Sequence, residues 1–328
     1  MKKHHVRYLA CPGCSGDVNI ARIDSMNEGS VEAGMLQCAN CEAVFPIVRH
    51  IPRFVPMENY AAGFGLQWKK HAKTQYDSHT HTTISQTRFF EETRWPHQLP
   101  GSTILEVGSG SGRFTEQAAS TGGMVASVDY SNAVDANYAS NGNKDNVLIV
   151  QGDIYTMPFK ADFFDRLFCI GVLQHTPDVK KAFFSLPRYL KPGGSLVIDV
   201  YRRNWMYVLT THYWLRPITK RLPPETLYKW IEKYINLMWP AAKLIGKLPK
   251  GNLINWALSI AYYEGQYSLP EEMLKEWAIL DTFDDLAAFY RNSQTLETVR
   301  KWFADAGLEN IEVHYGYNGI EGRATKPK

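Results

Sequence analysis

Between residues 101 and 200 the chain alternates short apolar segments with helical ones, and this alternation limits its possible folds more than any other feature. The segments typical of strands are 103–107, 124–128, 147–151, 166–170 and 195–200, and those typical of helices are 114–120, 133–140 and 179–190. Strands that alternate with helices form a parallel sheet covered on both faces. The pattern predicts an α/β, doubly wound, Rossmann-like domain whose ligand site lies at the carboxyl ends of its strands.

Glycines and acids stand at those predicted strand ends. The first strand contains Glu106 and runs into Gly108-Ser109-Gly110-Ser111-Gly112; Asp129 ends the second strand and Gly152-Asp153-Ile154 follows the third. Glycines permit a tight turn and a close backbone approach to a ligand. Arg113 stands where the dinucleotide fingerprint requires Gly or Ala. Asp129 fits the ribose of NAD or of an adenosyl ligand equally well, whereas the further acid at 153 favours an adenosyl sulfonium over a pyrophosphate.

A series of motifs across residues 101–200 resembles the class I S-adenosylmethionine-dependent methyltransferases, the group that includes the ubiquinone and menaquinone C-methyltransferases. The matching segments are Leu105-Glu106-Val107-Gly108-Ser109-Gly110-Ser111-Gly112, Val128-Asp129-Tyr130-Ser131, Gly152-Asp153-Ile154, Pro158-Phe159, Phe164-Asp165, Gly171-Val172-Leu173-Gln174-His175 and Leu190-Lys191-Pro192-Gly193-Gly194. The resemblance implies a seven-stranded sheet, completed by a helix over 296–306 and an antiparallel edge formed by strands near 311–315 and 320–324.

The same resemblance implies S-adenosylmethionine as the cofactor and a set of residues that bind it. The loop 108–112 would hold the methionine end, Asp129 the ribose, Asp153 and Ile154 the adenine, and Glu106 would orient the aminoacid group. The full set is Glu106, Gly108, Ser109, Gly110, Gly112, Asp129, Tyr130, Asp153, Ile154 and Gly171. For each acid taken alone, a helix cap or a solvated loop carboxylate is the alternative.

Four of the five cysteines form two C-x2-C pairs, Cys11 with Cys14 and Cys38 with Cys41. Two thiolates on each of two tight turns can complete the tetrahedral shell of a zinc ion, and four sulfur ligands make such a site structural. Two disulfides or four separate thiols are the alternatives. Cys169 lies in an apolar segment and is predicted to be a core residue.

The segment Phe45-Pro46-Ile47-Val48-Arg49-His50-Ile51-Pro52-Arg53-Phe54-Val55 resembles the Trm112-like zinc-ribbon family, and the resemblance covers about residues 8–56. Such domains accompany methyltransferases, either fused to them or as separate partners. The predicted organisation is therefore a zinc ribbon over 1–58, a helical lid or linker over 59–100, a methyltransferase domain over 101–201 and 294–328, and a helical insertion over 202–293.

The predicted insertion is basic and rich in tryptophan. Residues 202–262 contain ten Lys or Arg and two Glu. Prolines predict several short helices, and one apolar stripe has helical spacing. The prolines are Pro217, Pro223, Pro224, Pro240 and Pro249, and the stripe is Leu227, Ile231, Tyr234, Ile235 and Met238. We interpret the insertion as a substrate cap. Residues 202–263 could instead contact a membrane peripherally and take a lipid-linked acceptor, bind an anionic sugar, or stack RNA bases.

Two residues beyond the predicted strands are candidates for catalysis. Methyl transfer from a sulfonium is an in-line displacement that depends on alignment, and a base is needed only where the acceptor loses a proton. His175 follows the fourth strand and is a candidate base, with the capping of a loop or of the following helix as the alternative. Tyr201 and Asp199, at the end of the fifth strand, are weaker candidates.

These observations predict a cytoplasmic methyltransferase that acts on an O, N or C atom of a small molecule, a sugar or a lipid-linked glycan. The chain has no apolar secretion signal and no apolar run of about 20 residues that could span a bilayer. It lacks the Asn/Asp-Pro-Pro-Tyr and Pro-Cys motifs of nucleic-acid base methyltransferases, although the zinc ribbon keeps an rRNA or tRNA methyltransferase as the alternative. A catalytically silent scaffold is the third hypothesis, and the intact glycine loop argues against it.

Overall fold

The computed structural model describes residues 1–57 and 62–328, so the predicted boundary between ribbon and lid at residues 58 and 59 lies outside the described residues. The first part of the chain forms a four-stranded antiparallel sheet in the order β1-β2-β3-β4. A 3₁₀ helix at Lys3–Tyr8 precedes it. The strands are β1 (Val18–Asn27), β2 (Ser30–Cys38), β3 (Val44–Val48) and β4 (Ile51–Pro52).

The larger sheet has seven strands in the order β10-β11-β9-β8-β5-β6-β7, which confirms the predicted fold class. Its strands are β5 (Thr103–Val107), β6 (Met124–Asp129), β7 (Val147–Gln151), β8 (Phe164–Cys169), β9 (Leu190–Val200), β10 (Glu309–Gly316) and β11 (Gly319–Thr325). The strands from β9 to β7 in this order are parallel, and β11 and β10 form an antiparallel edge. The strand order reverses beside β5, where doubly wound sheets open a crevice for a ligand.

Helices cover this sheet and build the insertion. They are α1 (Ala62–Lys70), α2 (Asp77–Thr80), α3 (Ile84–Thr93), α4 (Arg113–Ser120), α5 (Val134–Asn141), α6 (Val179–Ser185), α7 (Thr211–Thr219), α8 (Pro224–Gly246), α9 (Gly251–Ala257), α10 (Glu271–Ala287) and α11 (Leu296–Asp305). Short 3₁₀ helices lie at Leu173–His175, Pro187–Tyr189 and Trp205–Leu209.

The helix predicted over 179–190 is wrong at its end. The α-helix stops at Ser185, a 3₁₀ turn follows at Pro187–Tyr189, and β9 begins at Leu190. Pro187 has no N–H to continue the helical hydrogen bonds. The shorter helix lets β9 begin five residues before the predicted start at 195.

The N-terminal sheet packs directly on the larger domain. Arg53 pairs with Gln151 of the edge strand β7 in a parallel bridge, and its guanidinium donates to the Gln151 Oε1 at 2.8 Å and to Asp135 Oδ1 at 2.6 Å. Leu9 and Leu36 belong to the same buried cluster as Leu105 of β5. The two sheets therefore share a core. Cys169 is buried, as predicted.

The insertion has a hydrophobic core of its own. Leu227, Ile231 and Ile235 of the predicted stripe are buried, with α10 packed against them. The prediction that prolines divide the insertion into short helices is wrong for α7 and α8, which contain Pro217 and Pro240 in their interiors. Both prolines are exposed, so water can hydrate the carbonyl groups that lose their helical donors. Among the described residues, no helix combines the length and the apolar composition that crossing a bilayer requires.

Candidate functional site

One cavity of about 1380 Å³ lies between the carboxyl edge of the larger sheet and the insertion. Loops that follow β5, β6, β8 and β9 line one side, and residues of α7, α9 and α10 line the other. Phe64, Gln67 and Trp68 of α1 also line it. The cavity is larger than the roughly 300–1,000 Å³ of ordinary ligand pockets, so it has room for two ligands side by side.

The glycine loop after β5 is shaped by its backbone. Gly108 has φ +81°, and a Cβ added there would lie 2.2 Å from the Val172 side chain. The Gly110 amide donates a hydrogen bond to Asp129 Oδ2 at 2.8 Å. Ser109 is buried beside the cavity, and its hydroxyl has no hydrogen-bond partner within residues 1–57 and 62–328. The loop thus presents backbone to the cavity, and one unsatisfied hydroxyl lies buried beside it.

Asp129 ends β6 and lines the cavity. Its Oδ1 accepts hydrogen bonds from the Ser131 amide at 2.8 Å and the Ser131 hydroxyl at 2.7 Å. Burial raises the pKa of the Asp129 carboxyl above its ordinary value. Its own chain therefore fixes the orientation of this carboxylate, and a carboxylate still has acceptor sites for a ligand.

Glu106 and Gly112 do not line the cavity but lie beneath the loop. The Glu106 carboxyl is buried and accepts a hydrogen bond from the Thr115 hydroxyl, to which Asn137 Nδ2 donates at 3.0 Å. Burial raises the pKa of Glu106 to about 7. A Cβ at Gly112 would meet Asn137 Oδ1 at 2.1 Å. In this arrangement both residues support the loop from below.

The remaining predicted cofactor residues divide between the cavity and the turn beside it. Tyr130, Ile154 and Gly171 line the cavity. Asp153 is not among the lining residues; its carboxylate accepts a hydrogen bond from the Tyr155 amide at 3.0 Å and closes the turn after β7. A contact between Asp153 and a bound ligand stays a prediction.

A buried ion pair that sequence reasoning missed supports the same edge. Arg88 of α3 lines the cavity and pairs with Asp199 at 2.7 Å and with Glu92 at 2.5 Å. The other oxygen of Asp199 accepts a hydrogen bond from the Gly171 amide. Asp199 therefore holds the loop after β8 in place. One arginine in a helical segment gives no sequence signal for such a role.

His175 lines the cavity on the side of the insertion. Its Nδ1 lies 3.2 Å from the Tyr290 carbonyl oxygen. Because a carbonyl can only accept, Nδ1 carries the hydrogen, and the neutral ring keeps the lone pair of Nε2. Nε2 lies 3.7 Å from Asp284 Oδ2. Burial lowers the pKa of His175, and Asp284 opposes this effect, so the free imidazole is neutral at pH 7.

Tyr201 lies beside His175, with ring centroids 5.5 Å apart. Its hydroxyl donates to Asp284 Oδ2 at 3.5 Å, and the Arg291 guanidinium stacks 4.4 Å from its ring centroid. Burial raises the pKa of Tyr201 well above 10. The phenol therefore stays protonated near neutral pH and acts as a hydrogen-bond donor.

Three aspartates of α10 complete this side of the cavity, and sequence reasoning missed them. Asp281, Asp284 and Asp285 all line the cavity. Burial raises the pKa of Asp281 to about 7, and the Tyr263 hydroxyl donates to it at 2.5 Å. Asp285 pairs with Arg291. Their spacing of three and four residues, which puts side chains on one helix face, was the available signal.

Two polar groups on this side have no protein partner. The Tyr207 hydroxyl and Nδ1 of His212 lack hydrogen bonds among the residues that the structure describes, and both residues line the cavity. Buried polar groups are nearly always satisfied in folded proteins. These two unsatisfied groups therefore lie buried beside the cavity, on the side of the insertion.

The four paired cysteines form a separate cluster in the N-terminal sheet. Their sulfur atoms all lie within 4.8 Å of one another, at 3.6 Å between Cys11 and Cys41 and at 3.4 Å between Cys14 and Cys38. All four are free thiols. Zinc–sulfur bonds of about 2.3 Å in a tetrahedron require sulfur atoms roughly 3.8 Å apart, which this cluster nearly matches. The residues present thus fit a metal ion.

Comparisons with known proteins concern mainly the central part of the chain. Residues 105–198 match the profile of the family described as "Methyltransferase domain". The ubiquinone biosynthesis O-methyltransferase of Coxiella burnetii is 30% identical over 131 residues, which is 39% of this chain and 56% of that protein. Phosphoethanolamine N-methyltransferase 2 of Caenorhabditis elegans is 30% identical over 112 residues, or 32% of this chain and 25% of that protein.

The chain therefore spans about half the length of the first of these curated relatives. Among solved structures, phosphoethanolamine N-methyltransferase 2 of Haemonchus contortus in complex with S-adenosyl-L-methionine is 16% identical, with a TM-score of 0.42. That similarity covers 74% of this chain and 53% of the other.

Proposed function

We propose that this protein transfers a methyl group from S-adenosylmethionine to an O, N or C atom of a small molecule, a sugar or a lipid-linked glycan, and the match of residues 105–198 to the methyltransferase-domain family supports this proposal. The observation that carries the proposal is the single cavity, which joins the glycine loop and Asp129 to His175 and the aspartates of α10. A donor site and an acceptor site in one enclosed space are what a direct transfer requires.

The half of the cavity at the sheet would hold the cofactor. Asp129 would accept hydrogen bonds from the ribose hydroxyls, and Ile154 and Tyr130 would line the adenine. The loop 108–112 would contact the methionine end through its backbone, which lines the cavity. Glu106 would act from beneath the loop, through Thr115 and the backbone it supports. When bound, S-adenosylmethionine supplies a methyl group that is already activated.

His175 would remove the proton of a hydroxyl or ammonium acceptor. Its Nε2 is the free nitrogen, because Nδ1 is held by the Tyr290 carbonyl. Asp284 lies 3.7 Å from Nε2 and would stabilise the imidazolium that forms. Tyr201 would orient the acceptor by accepting a hydrogen bond at its hydroxyl oxygen, since its O–H donates to Asp284. General-base assistance of this kind contributes roughly 10²–10⁴-fold to a rate.

Calorimetric titration with S-adenosylhomocysteine tests the proposal. The wild-type protein should bind one equivalent, and Asp129→Ala should bind about a hundredfold more weakly, because it loses two charge-assisted hydrogen bonds. Asp178→Ala is the matched control, since Asp178 caps α6 outside the cavity. Absence of binding by the wild type, or equal binding by Asp129→Ala, would contradict the proposal.

The cysteine cluster would hold a structural zinc ion, through Cys11, Cys14, Cys38 and Cys41. The four sulfurs fill a tetrahedral shell, so no position remains for a substrate. The ion would fix the two turns against each other in a sheet that has little core of its own.

Metal analysis of the purified protein tests this assignment. One zinc per chain is expected in the wild type, and Cys38→Ser should lose most of it. Cys169→Ser is the control, because Cys169 lies in the core of the larger domain. An equal zinc content in Cys38→Ser and wild type, or a wild type without zinc, would reject it.

A further inference from the structure

The insertion exposes large apolar side chains on three of its elements. Trp205 and Leu209 lie in the 3₁₀ helix Trp205–Leu209, Trp214 and Ile218 in α7, and Leu237 in α8. Trp214 is 70% exposed and Leu237 is 79% exposed. Exposed apolar side chains in such numbers mark an interaction surface rather than ordinary surface composition.

These elements adjoin one another through hydrogen bonds. The Trp214 indole donates to the Val208 carbonyl at 3.0 Å, and the Thr211 hydroxyl of α7 donates to the Ala257 carbonyl of α9 at 3.1 Å. Asn255 of α9 donates to the Ala242 carbonyl of α8 at 3.0 Å. The exposed apolar residues therefore belong to one connected part of the molecule, which we call the docking face.

Helix α8 shows that the exposure is patterned. Its buried residues repeat at intervals of four, through Leu227, Ile231 and Ile235. Trp230, Leu237 and Leu244 are exposed, and their spacing of seven residues puts them on one common face of the helix. Because Trp230 and Leu237 are offset from the buried stripe, α8 has two apolar faces, of which only one is used by the core.

The charge beside these residues is mostly positive. Lys229, Lys233, Lys247 and Lys250 are exposed on or next to α8. Residues 202–262 contain ten Lys or Arg against two Glu and no Asp. Lys243 pairs with Glu271, and the other four lysines have no carboxylate partner among the described residues. This combination complements a surface that is both negative and apolar beneath its charged groups.

We infer that the docking face binds the surface of a membrane that contains anionic phospholipids. Apolar side chains on amphipathic helices enter the boundary between head groups and acyl chains, and lysines beside them attract anionic lipids. Tryptophan is favoured at this depth. The contact is peripheral, since no helix in the described parts of the chain could cross the bilayer.

The cavity opens beside the same face. Tyr213 of α7 and Leu253 of α9 line the cavity and are about half exposed. Met206 of the 3₁₀ helix Trp205–Leu209 and Trp256 of α9 also line it. An amphiphilic acceptor could therefore place its polar head beside His175 while its apolar chain follows the docking face toward the lipid. This second part of the inference concerns the acceptor and rests on the proposed methyltransferase function. It assigns the acceptor to the class of amphiphiles that reside in membranes.

Vesicle co-sedimentation of the full chain tests the membrane contact. The wild type should pellet with vesicles of equal parts phosphatidylcholine and phosphatidylglycerol, bind pure phosphatidylcholine far less, and lose binding as salt rises. Trp214→Ser with Leu237→Ser should bind at least about tenfold more weakly. Lys229→Gln with Lys233→Gln and Lys247→Gln should bind roughly a hundredfold more weakly.

Matched controls exclude a general effect of the substitutions. Val44→Ser removes an exposed apolar residue of the N-terminal sheet, and Lys180→Gln removes an exposed lysine of α6. Both should bind vesicles as the wild type does. Every substituted side chain is exposed, so each variant should fold as the wild type does. Circular dichroism of each variant checks this.

Four outcomes would overturn the membrane contact: no vesicle binding, equal binding to neutral vesicles, salt-sensitive binding to single-stranded RNA in place of vesicles, or a dimer that Trp214→Ser with Leu237→Ser dissociates. Titration with S-adenosylhomocysteine, done without vesicles, separates this inference from the proposed function. Cofactor binding without vesicle binding overturns the docking face alone, and vesicle binding without cofactor binding overturns the methyltransferase proposal alone.

The origin of the acceptor is tested with radiolabelled S-adenosylmethionine and a total cell extract divided into organic and aqueous phases. Label in the organic phase is expected, and it should fall in Trp214→Ser with Leu237→Ser. Label confined to the aqueous phase would overturn the assignment of an amphiphilic acceptor.

Discussion

The two halves of the cavity are built differently. The cofactor half consists of turns that directly follow strands, such as Gly108–Gly110 after β5 and Asp129 at the end of β6. The acceptor half brings together His175 from the loop after β8, Tyr201 from the end of β9 and Asp284 from α10. Hydrogen bonds there join residues as far apart as His175 and Tyr290.

This difference explains why the cofactor half can be predicted from a sequence and the acceptor half cannot. A turn after a strand has a fixed order of residues, because the backbone itself forms the site. The acceptor half depends on how a separate helical unit packs over the sheet, and many sequences can supply an acid or an aromatic ring there. A substitution should therefore affect one half without affecting the other.

The largest expected effect distinguishes the two halves of the cavity, because it concerns the rate of methyl transfer and not the affinity for S-adenosylhomocysteine. His175→Gln should lower the rate of methyl transfer to a total cell extract by roughly 10²–10⁴-fold, because Gln cannot take a proton. Its affinity for S-adenosylhomocysteine should stay within about twofold of the wild type, since in our proposal His175 faces the acceptor and not the cofactor. His79→Gln, an exposed histidine of α2, is the control. An undiminished rate in His175→Gln would refute its role as base.

The next effect concerns crowding in the cofactor half. Gly108 and Gly122 have nearly the same φ, +81° and +79°, but only Gly108 has a side chain within 4 Å of its added Cβ. Gly122→Ala should lower the free energy of unfolding by about 1–2 kcal/mol through backbone strain alone. Gly108→Ala should lower the free energy of unfolding by about 1–3 kcal/mol more than Gly122→Ala does, because the added methyl group would collide with Val172.

Only Gly108→Ala should also weaken binding of S-adenosylhomocysteine. Chemical denaturation and calorimetry measure the two quantities. Equal effects of the two substitutions on stability and on binding would show that the Val172 side chain moves aside and that the loop is not tightly packed.

A third prediction concerns pH and the buried carboxyl under the loop. The pKa of Glu106 rises from 4.5 to about 7 in the folded protein, which corresponds to about 3 kcal/mol between its protonation states. Between these pH values the native state holds a proton that the unfolded state has released. The free energy of unfolding therefore falls as the pH rises through this window.

Glu106→Gln removes the titrating carboxyl, and with it this fall in the free energy of unfolding at higher pH. Its stability relative to the wild type should increase from about pH 5 to about pH 8, by up to about 3 kcal/mol. Thermal unfolding at both pH values measures the change. A constant difference between the two proteins would mean that Glu106 is ionised in the native state throughout.

The smallest effect lies in the acceptor half. Tyr207→Phe removes a hydroxyl that has no partner in the described structure, so its stability should change by less than about 0.5 kcal/mol. Its KM for the acceptor should rise about fivefold, through the loss of one hydrogen bond. Tyr234→Phe should instead lower the stability and leave the KM for the acceptor unchanged, because the Tyr234 hydroxyl donates to the Leu258 carbonyl. A stability loss in Tyr207→Phe would place that hydroxyl in the fold rather than in binding.

Most of the sheet could be predicted from the sequence because its strands are short apolar runs that end in glycines and acids. The order of the motifs was enough to expect seven strands, and the structure has them. The end of the helix at Ser185 was missed, because a local break at Pro187 was outweighed by an apolar pattern that continues to Leu190.

The acceptor half could be predicted only in part. His175 and Tyr201 were found because they follow strands, whereas Asp284 and Arg291 come from a helix and a loop whose packing no local pattern reveals. One carboxylate oxygen of Asp153 closes a turn, and its contact with a bound ligand stays a prediction. Prolines in α7 and α8 were misread because exposed positions tolerate them inside a helix.

A crystal structure of the protein with S-adenosylhomocysteine tests the division of the cavity most directly. The account predicts that the ribose hydroxyls bind Asp129 and that the sulfur faces the space bounded by His175, Tyr201 and Asp284. A ligand found outside this cavity, or one whose sulfur points away from α10, would contradict it.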